Sequence, residues 1–290
     1  MITIDPKSIP VPKVQAFLQG TVAPRPIAFV SSIDKDGKVN LSPFSFFNMF
    51  SMNPPILVFS PSRRVRDNST KHTLQNVLEV PEVVINIVSY NMVEQASLSS
   101  CDFPKGTNEF VKAGFTEAKS ILVRPPRVAE SKASFECKVN QVIPLGTEGG
   151  AGNLVICEVL LMHLDESIIE ADGRINPYKL DAVARMGSDY YCRANGESIF
   201  VVPKPNEKVG IGYDKIPEAI RNSNVLTGNE LGRLGNIEKL PEADSLSQFK
   251  SSLTWSKVAD KSEDEKHQLA QELLKEGKIE DAWKVLLLSM

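Results

Sequence analysis

The chain reads Leu41-Ser42-Pro43-Phe44-Ser45-Phe46-Phe47-Asn48, then Ile56-Leu57-Val58-Phe59-Ser60, and then Ser69-Thr70-Lys71-His72-Thr73, with Arg63, Arg64 and Arg66 before the last of these segments. The first segment predicts a loop of small polar and aromatic residues. The second predicts a buried strand, and the third predicts the start of a helix. A loop, a strand and a cationic helix start in this order predict a cradle for a flat, phosphorylated cofactor.

The strongest local signal is the predicted helix start at Lys71. Free backbone N–H groups and the positive end of the helix dipole make such a start attractive to an anion. One phosphate would be surrounded by Ser69, Thr70, Lys71 and Thr73, with Arg63 or Arg64 closing over it. The alternative is an ordinary helix cap beside a solvated basic loop, and this segment alone leaves both interpretations open.

Two adjacent aromatic residues, Phe46 and Phe47, lie between Ser45 and Asn48. One of the two rings could pack against a ring system, while backbone amides and the Asn48 amide satisfy its polar edge. The alternative is that both phenylalanines fill the core. The segment does not decide between these alternatives.

The composition limits the classes of function. The chain has 290 residues, a net charge of -3 and a pI of about 5.8, so no electrostatic argument favours nucleic acid as a partner. No signal peptide is recognisable, and no apolar run approaches the roughly 20 residues that span a bilayer. Four scattered cysteines and three histidines predict neither a metal site nor a disulfide framework. Reduced thiols fit a cytoplasmic protein best.

The order of predicted elements indicates an antiparallel β-barrel with helices rather than a doubly wound sheet. Strands are predicted at residues 27–33, 39–42, 56–60, 83–89, 135–140 and 154–164; helices at 11–18, 71–80 and 91–100; and a long loop at 102–114. We therefore expect a barrel domain over residues 1–202 and a helical C-terminal extension over residues 203–290. Pro203-Lys204-Pro205-Asn206 reads as a linker or a surface crossing between them.

The extension carries a pair of amphipathic helices interrupted at Glu276-Gly277-Lys278. Packing on the main domain or on a second subunit is the favoured interpretation, and docking of a dedicated partner is the alternative.

Several other features are interpreted as structural. The glycine-rich residues 146–152 precede a strand instead of opening a helix, which predicts a hairpin loop and argues against a dinucleotide fingerprint. His163 is predicted to be a satisfied structural histidine, because no nucleophile pattern accompanies it. Glu136 and Glu158 alternate with apolar neighbours and are expected to face solvent. No side chain is predicted to act as a catalytic acid, base or nucleophile.

In several motifs the chain resembles the flavin reductase-like family with the FMN-binding split-barrel fold. The similar segments are Thr21-Val22-Ala23-Pro24-Arg25-Pro26, Asn40 to Asn48, Asn53-Pro54-Pro55, Lys71-His72-Thr73-Leu74-Gln75-Asn76, Pro125-Pro126-Arg127-Val128-Ala129-Glu130-Ser131 and Arg185-Met186-Gly187-Ser188-Asp189-Tyr190-Tyr191. The resemblance implies a Greek-key antiparallel barrel that forms a homodimer, with FMN between the barrel and its partner subunit.

The resemblance also implies which residues bind the cofactor. Ser45, Phe46, Phe47 and Asn48 would lie beside the isoalloxazine and ribityl chain, and Ser60 matches a serine at a strand end. Lys71 and Thr73 match the phosphate-binding positions, while Arg25, Arg64 and Tyr190 are weaker matches. One departure is His72, where relatives commonly carry an acidic residue, and it puts the hydrogen bonding around Thr73 in question.

The implied function is an FMN-binding oxidoreductase of the flavin reductase type. It would take a hydride from NAD(P)H onto FMN and pass electrons to a further acceptor, such as a monooxygenase or another redox partner. One alternative is a non-catalytic FMN carrier or electron-transfer module that serves a separate enzyme. Another is a barrel that holds a different anionic cofactor, such as pyridoxal phosphate or haem.

Overall fold

A computed structural model of the protein describes residues 1–203 and 209–290. These residues form two compact units, Met1–Phe200 and Val201–Met290. The crossing predicted at residues 203–206 lies, from Lys204 onward, outside the described residues.

The first unit is built mainly from β-strands. Its strands are β1 (Arg25–Pro26), β2 (Ala28–Ile33), β3 (Val39–Phe44), β4 (Phe47–Met52), β5 (Pro55–Phe59), β6 (Glu82–Ile87), β7 (Glu117–Ala118), β8 (Arg127–Val128), β9 (Ala133–Pro144), β10 (Asn153–Leu164), β11 (Val183–Arg185) and β12 (Tyr191–Arg193). Seven strands form one antiparallel sheet in the order β3-β2-β6-β9-β10-β5-β4, and β1, β11 and β12 form a smaller one. The prediction of a mainly antiparallel β fold is confirmed.

Helices accompany these strands in the first unit and make up the second unit. They are α1 (Val11–Thr21), α2 (His72–Glu79), α3 (Val93–Leu98), α4 (Glu109–Ala113), α5 (Pro177–Leu180), α6 (Glu218–Arg221), α7 (Gly228–Leu234), α8 (Ala243–Phe249), α9 (Leu253–Ser256), α10 (Glu263–Lys275) and α11 (Ile279–Leu288). The predicted hairpin at residues 146–152 joins β9 to β10.

The core of the first unit lies between the large sheet and α2. Strand β2 is buried along its whole length, and Leu74 and Val77 of α2 pack into the same cluster. Two buried polar contacts also attach this helix to the sheet. Buried polar side chains need hydrogen-bond partners, and here they find them across the helix–sheet contact. Asn40 Nδ2 donates to Thr73 Oγ at 2.9 Å, and Asn76 Nδ2 donates to Ser32 Oγ at 3.1 Å.

Two segments expected to be loops are partly regular. Residues 47–52 form the edge strand β4, which pairs with β5 through an irregularity between Met49 and Ser51. An edge strand exposed on both sides has no reason to alternate apolar with polar residues, so its period-2 signal is weak. Residues 109–113, inside the predicted loop at 102–114, form α4, with Asn108 as its N-terminal cap.

The expectation that Glu136 faces solvent is wrong. Its side chain is fully buried, and its carboxylate accepts hydrogen bonds from the backbone N–H groups of Ile121, Leu122 and Val123. His163 Nε2 lies 2.7 Å from the same carboxylate. Burial tends to raise the pKa of this carboxyl, but the hydrogen bonds to its charged form outweigh burial and lower the pKa. Glu136 therefore anchors the loop at residues 121–123 to the sheet.

The second unit has its own apolar core around the fully buried Trp283. The indole N–H of Trp283 donates to the carbonyl oxygen of Leu234 at 3.1 Å. Helices α10 and α11 are separated at Gly277, whose φ of +81° is the left-handed conformation that commonly ends a helix. The interruption predicted at residues 276–278 is thus confirmed.

Across residues 1–203 and 209–290, no helix combines the length and hydrophobicity needed to cross a bilayer. In the same residues, no group of three or more His, Cys, Asp or Glu side chains is placed to hold a metal ion.

The close approach of α1 to the loop after β11 gives a testable prediction. A Cβ atom added at Gly187 would lie 2.7 Å from the Cα of Gly20, so the backbone would have to move. We expect Gly187→Ala to lower the free energy of unfolding by about 1–3 kcal/mol. Gly20→Ala is the matched control, because its Cβ meets nothing within 4 Å and alanine favours a helix. Urea unfolding monitored by circular dichroism measures both; equal destabilisation by the two variants would contradict the predicted contact.

Candidate functional site

The site begins at the N-terminus of α2, which has no side-chain cap. Lys71 occupies the capping position, and its carbonyl accepts the first bonds of the helix. The backbone N–H groups of His72 and Thr73 have no partner in the part of the chain that the structure describes. Thr73 Oγ accepts from Asn40, so its own hydrogen remains available for donation. This terminus therefore presents several unused donors.

The basic loop before α2 places Arg64 beside this terminus. Its guanidinium donates to Ser69 Oγ at 3.0 Å, to the carbonyl oxygen of Thr70 at 2.8 Å and to Asp102 at 2.5 Å. Asp102 also pairs with Arg66, whose side chain is 66% exposed. Arg63, by contrast, is held by Asn68 through its Nε and Nη2 atoms. Of the two arginines considered for the phosphate, Arg64 is the one beside Lys71.

The electrostatics of this region favour a bound anion. Burial, and then the charge of Arg64, lower the pKa of Lys71. The pKa of His72 is also lowered, chiefly by burial and then by Arg64, so its imidazole is neutral at neutral pH. Hydrogen bonds from Arg66 and Arg64 lower the pKa of Asp102, which is thus an anion beside these cations. An additional oxyanion would relieve the mutual repulsion of Lys71 and Arg64.

Two cavities meet at these residues. One is a groove of about 680 Å³ between α1 and the basic loop, within the size range of small-molecule sites. The other is a small cavity of about 20 Å³, enough for a water molecule, at the start of α2. Arg64, Lys71, Ser100 and Asp102 line both cavities.

The predicted serine–aromatic segment contributes to these cavities unequally. Phe46 is 41% exposed and lines the large groove, while Phe47 belongs to β4 and packs against the core of the sheet. Asn48 is exposed, and its side-chain oxygen accepts from the backbone N–H of Met49 at 2.8 Å. Ser45 lines a further cavity of about 380 Å³ that also borders Ser100.

Ser60 lies just after β5 and supports the same corner of the sheet. Its backbone N–H donates to the carbonyl oxygen of Phe46 at 2.8 Å, and its hydroxyl accepts from the backbone N–H of Asn153 at 3.0 Å. A Cβ at Gly152 would come within 2.7 Å of the Ser60 hydroxyl. Ser60 thus fixes the position of Phe46 through the backbone.

The structure places Arg25 and Tyr190 away from these residues. Arg25 is buried, and its guanidinium donates to the carbonyl oxygens of Gln19, Val22 and Met186. It therefore joins the C-terminal end of α1 to the loop after β11 and lines neither the 680 Å³ nor the 380 Å³ cavity. Tyr190 is 75% exposed and borders a separate groove of about 520 Å³ beside Gly20.

Sequence reasoning missed several residues that line the large groove. Helix α1 supplies Val14 and Leu18, and the segment after α3 supplies Ser100 and Asp102. Helix α1 has no buried residue, and its amphipathic side forms a wall of the groove instead of part of the core. For Asp102 the sequence did contain a signal, although a weak one: a carboxylate can pair with the arginines of the basic loop.

Comparison with known proteins identifies the family of the first unit. A sequence profile described as "Flavin reductase like domain" matches residues 21–178. The chain belongs to the flavin reductase-like family. The matched residues end before the second unit.

Individual proteins resemble the chain over most of their own length. An uncharacterised protein from Aquifex aeolicus is 40% identical over 178 residues, which cover 61% of this chain and 88% of the relative. Nitrilotriacetate monooxygenase component B from Bacillus cereus has a similar structure, with a TM-score of 0.65 and 30% identity over 69% of this chain and 98% of that protein. A structure from Shewanella frigidimarina is described as a flavin reductase with a split barrel domain. It has a TM-score of 0.60 and 24% identity, and the match covers 70% of this chain and 100% of that protein.

These comparisons confirm the predicted split-barrel fold. The ladder of hydrogen bonds runs from β3 to β4 and does not close between these two end strands, as expected of a split barrel.

The cysteines near and away from the site differ in predicted reactivity. Cys101 is exposed and lines the small cavity, whereas Cys137 and Cys157 are buried in the sheet. Burial, with a smaller effect of Glu136, raises the pKa of Cys137 to about 12, and burial also raises that of Cys157. Because the thiolate is the reactive form, we expect Cys101 to be alkylated fastest and these two only on unfolding. Timed iodoacetamide labelling with mass spectrometry tests this order; early labelling of Cys137 would contradict it.

Proposed function

We propose that the first unit binds FMN and acts as an NAD(P)H-dependent flavin reductase that passes electrons to a further acceptor. The observation that carries the proposal is the uncapped start of α2, where Lys71, Arg64 and the Thr73 hydroxyl border a cavity next to a groove of ligand size. The family to which the chain belongs supports a flavin as the ligand.

The donors at the start of α2 fit a terminal phosphate. Two free backbone N–H groups, the hydroxyl of Thr73 and two cationic side chains offer the hydrogen bonds that phosphate oxygens accept. The neutral form of His72 fits as well, because a cation in the first turn would oppose the helix dipole. The departure from the residue common in relatives is therefore compatible with phosphate binding.

The large groove fits the rest of a flavin. Phe46 offers an exposed ring face, and Val14 and Leu18 of α1 form an apolar wall opposite the basic loop. A groove lined by both apolar and cationic side chains matches a molecule with a flat ring and an anionic tail. Ser45, Phe47 and Asn48 complete the proposed ring-binding turn, with Ser60 holding it from behind.

Bound FMN would supply the chemistry, by accepting a hydride from a reduced nicotinamide and giving up two electrons to an acceptor. The role of this chain is then to orient the ring and to provide a polar surround for its edge. No side chain then has to act as a general base.

We further propose that the first unit forms a homodimer through β4. This edge strand leaves Met49, Phe50 and Met52 59%, 69% and 81% exposed, respectively. An open, apolar strand edge is a surface that a second chain covers readily. Such a partner would also shield Phe46 at the end of the groove.

The experiment that tests the function starts with the purified full chain. We expect a yellow protein with flavin absorbance bands, release of FMN on denaturation, and oxidation of NADH or NADPH with ferricyanide as acceptor. Flavin binding without turnover would support the alternative of an FMN carrier serving another enzyme. A protein that binds no flavin, or that shows the bands of pyridoxal phosphate or haem, would overturn the proposal.

The phosphate assignment predicts the effect of a double substitution. Lys71→Ala with Thr73→Ala should weaken FMN binding by about 2–4 kcal/mol, taking about 1–2 kcal/mol for each lost contact. Fluorescence titration of FMN into the flavin-free chain measures this change. Thr116→Ala with Lys119→Ala is the matched control, since both residues are exposed on another loop. Equal dissociation constants for the two double variants would refute the assignment.

A further inference from the structure

Two arginines face each other across the small sheet of the first unit. In the register of β1 and β11, Arg25 lies directly opposite Arg185. Like charges in opposite positions on paired strands are destabilising. The pKa of Arg25 is lowered, first by burial and then by the charge of Arg185. The pair is therefore an electrostatic cost that the fold retains.

Arg25 forms hydrogen bonds but has no counterion among the residues that the structure describes. Its guanidinium donates to three main-chain carbonyl oxygens, at 2.6, 2.6 and 2.8 Å, and its Nε is buried without a partner among the described residues. Carbonyl oxygens satisfy its donors without cancelling its charge. The hydrogen bonds of Arg25 therefore leave the positive charge of its guanidinium in place.

Arg185 lacks even these partners. Its guanidinium stacks on the ring of Tyr191 at 4.6 Å, and no hydrogen bond or ion pair is formed with any residue in the described part of the chain. Arg193, on the neighbouring strand, shows the contrast. It stacks on Tyr90 at 3.9 Å and also forms two hydrogen bonds of 2.7 Å with Asp181. Both arginines stack on a tyrosine ring, but of the two only Arg193 also pairs with a carboxylate of the described residues.

Arg185 faces a cavity that can supply the missing anion. The cavity has a volume of about 380 Å³ and is lined by Tyr191 and by Ser45, Ser97 and Ser100. The hydroxyls of Ser45 and Ser97 have no hydrogen-bond partner among residues 1–203 and 209–290. Asp189 also borders the cavity but does not pair with Arg185. A guanidinium with two free hydroxyls is a donor set for an oxyanion.

We propose that this cavity binds the oxyanion, a carboxylate or a phosphate, of the compound that exchanges electrons with the flavin, and that Arg185 recognises it. This inference rests on the proposed function for the identity of the compound, but not for the anion site itself. The cavity adjoins the large groove at Ser100 and reaches Ser45, the first residue of the proposed ring-binding turn. An anion held at Arg185 would thus belong to a substrate bound next to the proposed ring-binding turn, in a cavity that Lys71 does not line.

The direct test is anion binding by calorimetry. Inorganic phosphate and benzoate serve as the probes, and the full chain carrying Lys71→Ala and Thr73→Ala is used so that the α2 site does not contribute. We expect at least one probe to bind, and Arg185→Gln to weaken its binding at least tenfold. Arg193→Gln is the matched control and should change it less than twofold. Arg185→Lys, which keeps the charge but not the planar fork, should give an intermediate affinity.

Kinetics on the flavin-loaded chain, with Lys71 and Thr73 intact, distinguish the two sources of the anion. If the phosphates of the nicotinamide donor occupy the cavity, Arg185→Gln raises KM for NAD(P)H with little change in kcat. If a carboxylated acceptor does, KM rises for a nitrobenzoate but not for neutral nitrobenzene.

Three results would overturn the inference. They are no binding of either probe to the parent chain, equal affinities in Arg185→Gln and Arg193→Gln, and loss of FMN from a folded Arg185→Gln protein. The last result would assign the cavity to the flavin itself. Because the calorimetry needs no flavin, a protein that binds these anions through Arg185 but binds no FMN would refute the proposed function alone.

Discussion

The two buried hydrogen bonds that fix α2 to the sheet are the contacts on which the site depends. Asn40 with Thr73, and Asn76 with Ser32, hold an eight-residue helix whose own length gives it little stability. Leu74 and Val77 add the apolar contact that makes this position favourable. These contacts set the position of the helix, and its unused N–H groups lie beside Lys71 and Arg64.

The charged side chains around that helix are only partly paired with one another. Asp102 neutralises part of the basic loop by pairing with Arg64 and Arg66, and it connects that loop to the segment after α3. Lys71 forms no ion pair in the described part of the chain, and burial, followed by the charge of Arg64, lowers its pKa. Arg185, which lines a cavity together with Ser100, likewise forms no ion pair with any described residue. The first unit thus has two cationic positions along one continuous set of cavities.

Much of this site could be predicted from local sequence. The strand at residues 56–60, the helix after Lys71 and the exposed ring of Phe46 follow from apolar runs, helix-start residues and turn residues that act over short distances. Other parts could not be predicted, because they depend on contacts between distant segments. Glu136 looked solvent-facing from its alternation, yet the loop at residues 121–123 covers it. The sequence of α1 likewise did not indicate that the apolar side of this helix would line a groove.

The sequence by itself determined the antiparallel split-barrel fold, the helical character of the C-terminal residues and the neighbourhood of Lys71. The split-barrel fold follows from the predicted strands together with the family motifs, and the family profile over residues 21–178 agrees with it. The other two features depend on residue periodicity and on helix-start residues within a few positions. Only the tertiary structure decided that Arg64 and not Arg63 lies beside Lys71, and that Arg25 joins α1 to the loop after β11. It also decided that Arg185 has no counterion within residues 1–203 and 209–290. The physical reason is that a charge is neutralised by whatever group folding brings within a few ångströms, and that group is often a hundred or more residues away.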